Sequence, residues 1–443
     1  MKQKIFGCLG VAAITFALQF TPADVQARFF SPCDPCNPCD QVTCDPCADA
    51  WGCDPCGAVN GCGPKAGKWF LGGHLEAGFF ANGHGRTAKY DGPAYLHFVP
   101  GRTYGMDTGN TALLQNTRLT GGQLNQIYLS MGRSVDGRRG LDIGGTVDLT
   151  FGSDAYIVQA RGVEFGAGHG GDVHEGRWGK GDYFSAVAQA YLELEYRRLN
   201  VKAGKFYAPF GMDSYKSTDN FFYSWSPTMY IAPTTAGGIY GTYKVNDRLS
   251  VLGGWIQPDQ FGETSDDNAF FGGVVWNPGK RVSVSYMIAA GKNSYDRNEL
   301  NVQLGIDKFE YCVHSFTTSV QLSKRLKYNL NWTHFSVDVP NNNMHSYALM
   351  NEIIYQRSAR WAFGTRFGLL KFGEYGSGLV LNAADPDTEW YTVSLGANWT
   401  PNKWLTVKPE VRYDWMANPK AGLFNEQNNT YQVSGGMSAV VKF

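Results

Sequence analysis

Along residues 431–443 the chain alternates, with Tyr431, Val433, Gly435, Met437, Ala439, Val441 and Phe443 in one row and Gln432, Ser434, Gly436, Ser438 and Lys442 in the other. The segment before it alternates more sharply: Leu405, Val407, Pro409, Val411, Tyr413 and Trp415 oppose Thr406, Lys408, Glu410, Arg412 and Asp414. A period of two marks a strand whose two faces meet different surroundings. About sixteen such segments run from 69–80 to 431–443, and their connections alternate in length. Short turns, among them Val135-Asp136-Gly137, Arg197-Arg198, Asn246-Asp247-Arg248 and Thr400-Pro401-Asn402-Lys403, are separated by long polar loops around 82–122, 152–182, 207–236, 258–268, 291–308, 337–345, 372–388 and 416–430. A soluble sandwich has no reason to alternate in this way. Outer-membrane barrels do, because one rim carries tight turns and the other long loops, and in them the apolar row faces lipid and the polar row faces a wet interior.

The pattern therefore predicts an all-β fold, a transmembrane antiparallel β-barrel of about sixteen strands over residues 67–443. Unpaired backbone is excluded from hydrocarbon, so the first and last strands must pair. Trp69, Trp255, Trp276, Trp332, Trp361, Trp399, Trp404, Trp415 and Phe443 fall at or near expected strand ends, where interfacial aromatics belong.

The N-terminus reads differently. Residues 1–27 have the form of a cleaved signal peptide: Lys2 and Lys4, an apolar stretch to Phe20, then Val25-Gln26-Ala27. Residues 28–66 form a Cys/Pro-rich low-complexity segment with Cys33, Cys36, Cys39, Cys44, Cys47, Cys53, Cys56 and Cys62. Export and an even count favour these eight as disulfide partners, within or between chains. Thiolate metal binding and attachment to another cysteine-rich surface component remain open alternatives.

Composition narrows the function classes. Lys+Arg and Asp+Glu balance at 39 each, which gives a phosphate backbone no basic footprint and argues against a nucleic-acid partner. Only 18% of residues are charged, while 14% are aromatic and 54 are glycine, a composition able to bury a core. Past residue 27 the longest run of apolar residues and glycine is 269–276, too short to span a bilayer as a helix.

Gly204-Lys205-Phe206-Tyr207-Ala208-Pro209-Phe210-Gly211, followed by Asn220-Phe221-Phe222-Tyr223-Ser224, resembles the hallmark of the OmpL-like beta-barrel porins of bacterial outer membranes. The similar architecture covers about Gly67 to Phe443 and leaves out the cysteine-rich leader. Where that family often carries a basic residue after Tyr-Ser, this chain has Trp225. The resemblance implies an outer-membrane location, small hydrophilic solutes as cargo and a terminal Phe443 of the kind that barrel-insertion machinery reads.

A barrel of this size leaves room for water, so function would lie in the lumen. The alternation turns His74, Glu76, Arg133, Asp142, Asp148, Glu193, Glu195, Lys202, Arg366, Lys408, Glu410, Arg412 and Asp414 inward. Their mixed signs favour weak charge selectivity. The loop from Tyr207 to Thr235 is the candidate constriction, because Tyr207, Phe210, Tyr215, Phe221, Phe222, Tyr223, Trp225 and Tyr230 would be out of place in open water. The alternative is packing on neighbouring loops or a subunit interface. Lys205, Asp213, Lys216 and Asp219 could add polar contacts there. No nucleophile elbow or zinc-protease helix occurs, so no catalytic residue, metal site or cofactor is expected; His169 and His174 lie in a glycine-rich loop. The expected function is passive diffusion, with lipid around the barrel and a homotrimer as the candidate assembly. The competing reading is a structural outer-membrane anchor whose cysteine leader cross-links subunits or a surface layer.

Overall fold

The computed structural model describes residues 67–83, 120–160, 163–164, 178–180, 183–258, 268–294, 308–339, 342–372, 389–417 and 429–443. The signal and cysteine-leader segments, and His169 and His174, lie outside the described residues. In chain order the strands are β1 (Trp69–Asn82), β2 (Thr120–Arg133), β3 (Leu141–Gly152), β4 (Gly179–Lys180), β5 (Tyr183–Tyr196) and β6 (Leu199–Tyr207). There follow β7 (Thr235–Lys244), β8 (Leu249–Pro258), β9 (Asn268–Gly279), β10 (Val282–Ser294), β11 (Lys308–Gln321) and β12 (Leu326–Val339). The set ends with β13 (Asn342–Gln356), β14 (Trp361–Phe372), β15 (Glu389–Asn402), β16 (Leu405–Ala417) and β17 (Tyr431–Lys442).

Two-residue β4 only extends the rim beside β5. The other strands form one closed antiparallel wall of sixteen, sealed where β1 pairs with β17 from His74↔Lys442 to Asn82↔Ser434. Closure leaves no edge strand, which is what hydrocarbon requires.

The faces fall as the alternation demands. On β16 Lys408, Glu410, Arg412 and Asp414 are buried while Pro409, Val411 and Tyr413 are exposed. On β17 Gln432, Ser434 and Ser438 are buried while Tyr431, Val433 and Met437 are exposed. This is the inverse of a soluble protein: the polar row is interior and the apolar row forms the outer belt.

Three expectations need correction. The segment 337–345 is not a long loop, because β12 and β13 continue through it as a hairpin with only residues 340–341 between them. A row of cross-strand pairs from Ser336↔His345 to Val339↔Asn342 holds that extension. Trp332 sits in mid-strand on β12 rather than at an end. Arg133 lies in register with outward-facing Trp69, so it belongs to the outer row at the short-turn rim, where it pairs with Asp142 at 2.8 Å.

Two irregularities shape the interior. A bulge between β1 and β2 at Glu76/Ala77 skips Asn125, and both Asn125 and Gln126 end up fully buried inside. β5 and β6 pair only from Ala190↔Lys205 to Tyr196↔Leu199. Beyond that point Glu164 takes over, accepting the Val187 amide at 2.8 Å.

Candidate functional site: the barrel lumen

The connection from β6 to β7, residues 208–234, runs into the barrel and lies against the inner wall. Polar wall residues on four strands hold it. On β2, Gln126 donates to the Tyr215 carbonyl at 2.8 Å, and the Tyr223 hydroxyl donates to Asn125 at 2.9 Å. On β11, the Ser315 hydroxyl accepts the Gly211 amide at 3.0 Å. On β14 and β16, charged side chains converge on Ser224 and its neighbours. Phe210, Tyr215, Phe222, Tyr223 and Trp225 are all buried by this arrangement, which satisfies the aromatic excess that the sequence places in this loop.

Ser224 is the hub. Its amide and hydroxyl donate to Glu410 at 2.8 and 2.6 Å. Arg366 donates to its carbonyl at 2.7 Å and to its hydroxyl at 2.6 Å, and Arg412 donates to the same hydroxyl at 3.1 Å and to the Trp225 carbonyl at 3.0 Å. The network is charge-balanced: Arg366 lies 3.4 Å from Glu410, and Arg412 lies 2.8 Å from Asp414. Lys408, close to the short-turn end of β16, donates to the Asn220 carbonyl at 2.7 Å and also to the Ser217 carbonyl. The loop thus reaches deep into the lower half of the lumen. Its rings need flat wall, and glycines supply it. A Cβ at Gly78 would stand 2.1 Å from the Tyr223 hydroxyl oxygen, and one at Gly364 would stand 2.4 Å from the Phe221 ring.

A second inward segment follows β3. Ser153–Val158 forms a 3-10 turn that is buried throughout. It packs with Tyr128, Ala186, Ala188, Tyr215 and Trp225. Asp154 accepts from Gln126 at 3.0 Å and from Asn125 at 3.2 Å. Burial, with the Glu76 carboxylate adding to it, raises the Asp154 carboxyl well above the ordinary range. Burial likewise pushes the Tyr215 and Tyr223 phenols up, so both stay neutral.

The twelve residues read from sequence as pore candidates fall into three groups. Arg366, Lys408, Glu410 and Arg412 face inward but lie beneath the loop and grip it, while Asp414, also inward, holds Arg412. Lys205 and Phe210 are also enclosed: Lys205 bonds Glu164 and the Val158 carbonyl, each at 2.9 Å, and Phe210 packs on Phe271 with ring centroids 5.6 Å apart. The third group keeps access to the interior space. Lys202 stands 3.8 Å from Glu193 and 4.5 Å from the centre of the Tyr191 ring. Lys216 lies 3.6 Å from buried Asp148 and over the Tyr128 ring. Tyr207 shares a 3.0 Å hydrogen bond with Tyr128. Asp213 accepts the Ser226 amide at 2.7 Å, and Asp219 is exposed.

Sequence reasoning missed Ser224, Asn125, Gln126, Asp154 and Glu164. Only the inward-register glycines Gly364 and Gly368 flanking Arg366 carried a signal, since a lumen wall of alternating glycine and charge invites something to lie on it.

A family model described as "Putative beta-barrel porin-2, OmpL-like" matches residues 73–443. The chain belongs to this porin family. The family is one of outer-membrane porins, which places the barrel in the bacterial outer membrane and points to a channel rather than an enzyme. A search of curated proteins finds no match to the sequence. Among solved structures, OmpT of Vibrio cholerae in a trimer form superposes with a TM-score of 0.53 at 11% identity, covering 86% of this chain and 100% of that one. The anion-selective porin from Comamonas acidovorans gives 0.53 at 10% identity over 85% and 99% of the two chains. The outer-membrane channel DcaP of Acinetobacter baumannii gives 0.52 at 12% identity over 85% and 97%. At such identities these likenesses establish the fold. In this OmpL-like porin the Gly204–Gly211 motif ends β6 and enters the inward loop, and Asn220–Ser224 is the stretch that the wall charges hold.

Proposed function

We propose that this porin passes small hydrophilic solutes by passive diffusion through a lumen narrowed by residues 208–234, with no catalytic step. The observation that carries this reading is the division of labour among the inward charges. One set is consumed in fixing the loop, and another, Lys202, Glu193, Lys216, Asp213 and Asp219, stays partly accessible. The accessible set holds both signs close together, as in Lys202 beside Glu193. Interleaved signs give a weak net field along the axis and so weak ion selectivity. The protein assembles as a homotrimer in this reading, by analogy with the trimer form of Vibrio cholerae OmpT.

The test is single-channel recording of the mature protein in a planar bilayer, after a heat-modifiability gel has established that the barrel is folded. Ohmic steps with weak selectivity are expected. Folded barrels that stay silent would sink the reading.

A further inference from the structure

Charge balances over the whole chain but not between its two ends. The long connections 258–268 and 372–388 hold acidic residues and no Lys or Arg. Every short turn of the described wall, by contrast, carries an exposed cation. Arg197-Arg198 joins β5 to β6, Lys280-Arg281 joins β9 to β10, Lys324-Arg325 lies between β11 and β12, and Arg357 and Arg360 lie between β13 and β14. Arg138, Arg248 and Lys403 serve the remaining turns, and Lys68 and Lys442 complete the circle where β1 meets β17. The acidic groups at this end are Asp136, Asp142, Glu195 and Asp247, and the first two are already paired with Arg138 and Arg133 at 2.8 Å. The short-turn rim is therefore a ring of positive charge on a chain whose net charge is zero.

The ring lies at a defined depth. Exposed aromatic side chains stand just inside it: Trp69 beside Lys68, Tyr196 beside Arg197, Trp361 beside Arg360, Trp404 beside Lys403, and Tyr355 two positions before Arg357. Such rings mark the boundary between hydrocarbon and headgroups, and a Lys or Arg one or two positions farther out reaches the phosphates. Neighbouring turns are two strands apart, on the order of 10 Å. That is close to a Debye length in physiological salt, so their like charges repel unless an anion lies between them. Short turns lie on the periplasmic side of outer-membrane barrels, and the phosphates within reach belong to the inner leaflet.

We infer that the short-turn rim binds the phosphate groups of anionic phospholipids in the inner leaflet of the outer membrane. Shape favours lipid over a protein or a glycan. The cations occur at every turn around the circumference, whereas a macromolecule docks from one side and would leave most of the ring unmatched. Charge favours an anionic headgroup over a zwitterionic one, because the few carboxylates at this rim offer little to a choline or ethanolamine cation. Such a belt holds the barrel at its depth in the bilayer, whether or not the lumen conducts.

The experiment places the full mature chain in phosphatidylcholine vesicles with a trace of spin-labelled phosphatidylglycerol or of spin-labelled phosphatidylcholine. Folding is checked by heat modifiability, and electron spin resonance reads the fraction of each label immobilised at the wall. The expected result is a preference of about fivefold for phosphatidylglycerol, the size of one cation's contact with an anionic surface, falling toward parity as salt rises. Lys280→Gln/Arg281→Gln/Lys324→Gln/Arg325→Gln is expected to cut that preference about twofold or more, while Lys292→Gln/Lys371→Gln at the opposite rim leaves it unchanged. A folded barrel without preference, a preference indifferent to salt, or one untouched by the four-residue variant would each overturn the assignment. So would inorganic phosphate that abolishes the preference where chloride of equal ionic strength does not, since the ring would then be a site for free anions. If no lipid preference is seen and the same variant instead abolishes sedimentation with purified peptidoglycan, the ring serves a wall polymer and the lipid assignment falls. The salt series uses the unaltered chain, so it can refute the assignment even where the variant fails to fold.

Discussion

Ser224 shows how one small side chain can organise a lumen. Its hydroxyl and backbone join two arginines to Glu410 in a space without water access, so the network tolerates little imbalance. Removing one charge from a buried pair strands the other, at a cost of about 3–5 kcal/mol. Glu410→Gln is therefore expected to loosen the loop and raise its susceptibility to limited proteolysis. A double change, Glu410→Leu with Arg366→Met, should recover much of the lost stability, because neither charge is then left alone. Asp154 gives a pH signature. Its folded carboxyl titrates above the unfolded value, so the stabilisation from the neutral form is complete below the unfolded pKa and is lost as pH rises through the folded one. Denaturant unfolding should accordingly show lower stability at pH 8 than at pH 5, with Asp154→Asn flattening that slope. An unchanged slope in the variant would assign the effect elsewhere. None of these roles was legible residue by residue, since charge in the inward row looks the same whether it meets water or a loop.

At the scale of elements, strands were far more legible than connections. The alternation in β16 and β17 is enforced by a boundary between lipid and lumen, and a shift of one residue would exchange every side chain between the two. Loops face no such rule. The 337–345 stretch reads as a polar loop because Asn341, Asn342 and Asn343 interrupt the pattern, yet β12 and β13 go on pairing as far as Val339↔Asn342. Residues 153–160 carried no periodic signal at all, and their place inside the wall follows from Gln126, Asn125 and Lys205 receiving them. The wall glycines offer the sharpest test at this scale. Gly78→Val would drive a side chain into Tyr223 and break its bond to Asn125, costing about 1–3 kcal/mol by overpacking. Displacement of the ring should widen the lumen, read as a larger single-channel conductance from barrels that remain heat-modifiable.

For the whole molecule, closure is the property from which the others follow. With β1 paired to β17 each of the sixteen wall strands has two neighbours, and the outer belt is then free to meet lipid wherever it is apolar. The number of segments and their alternation were determined by the sequence alone, because a bilayer imposes a period, a minimum length and a ban on open edges that any spanning strand must obey locally. The tertiary structure alone decided which inward charges are open to the lumen and which are spent on holding residues 208–234. That division depends on contacts between segments far apart in sequence: Ser224 meets Arg366 and Glu410 only once the barrel has closed. A period-two pattern carries the side of the wall for each residue, and it carries nothing about what lies against that side.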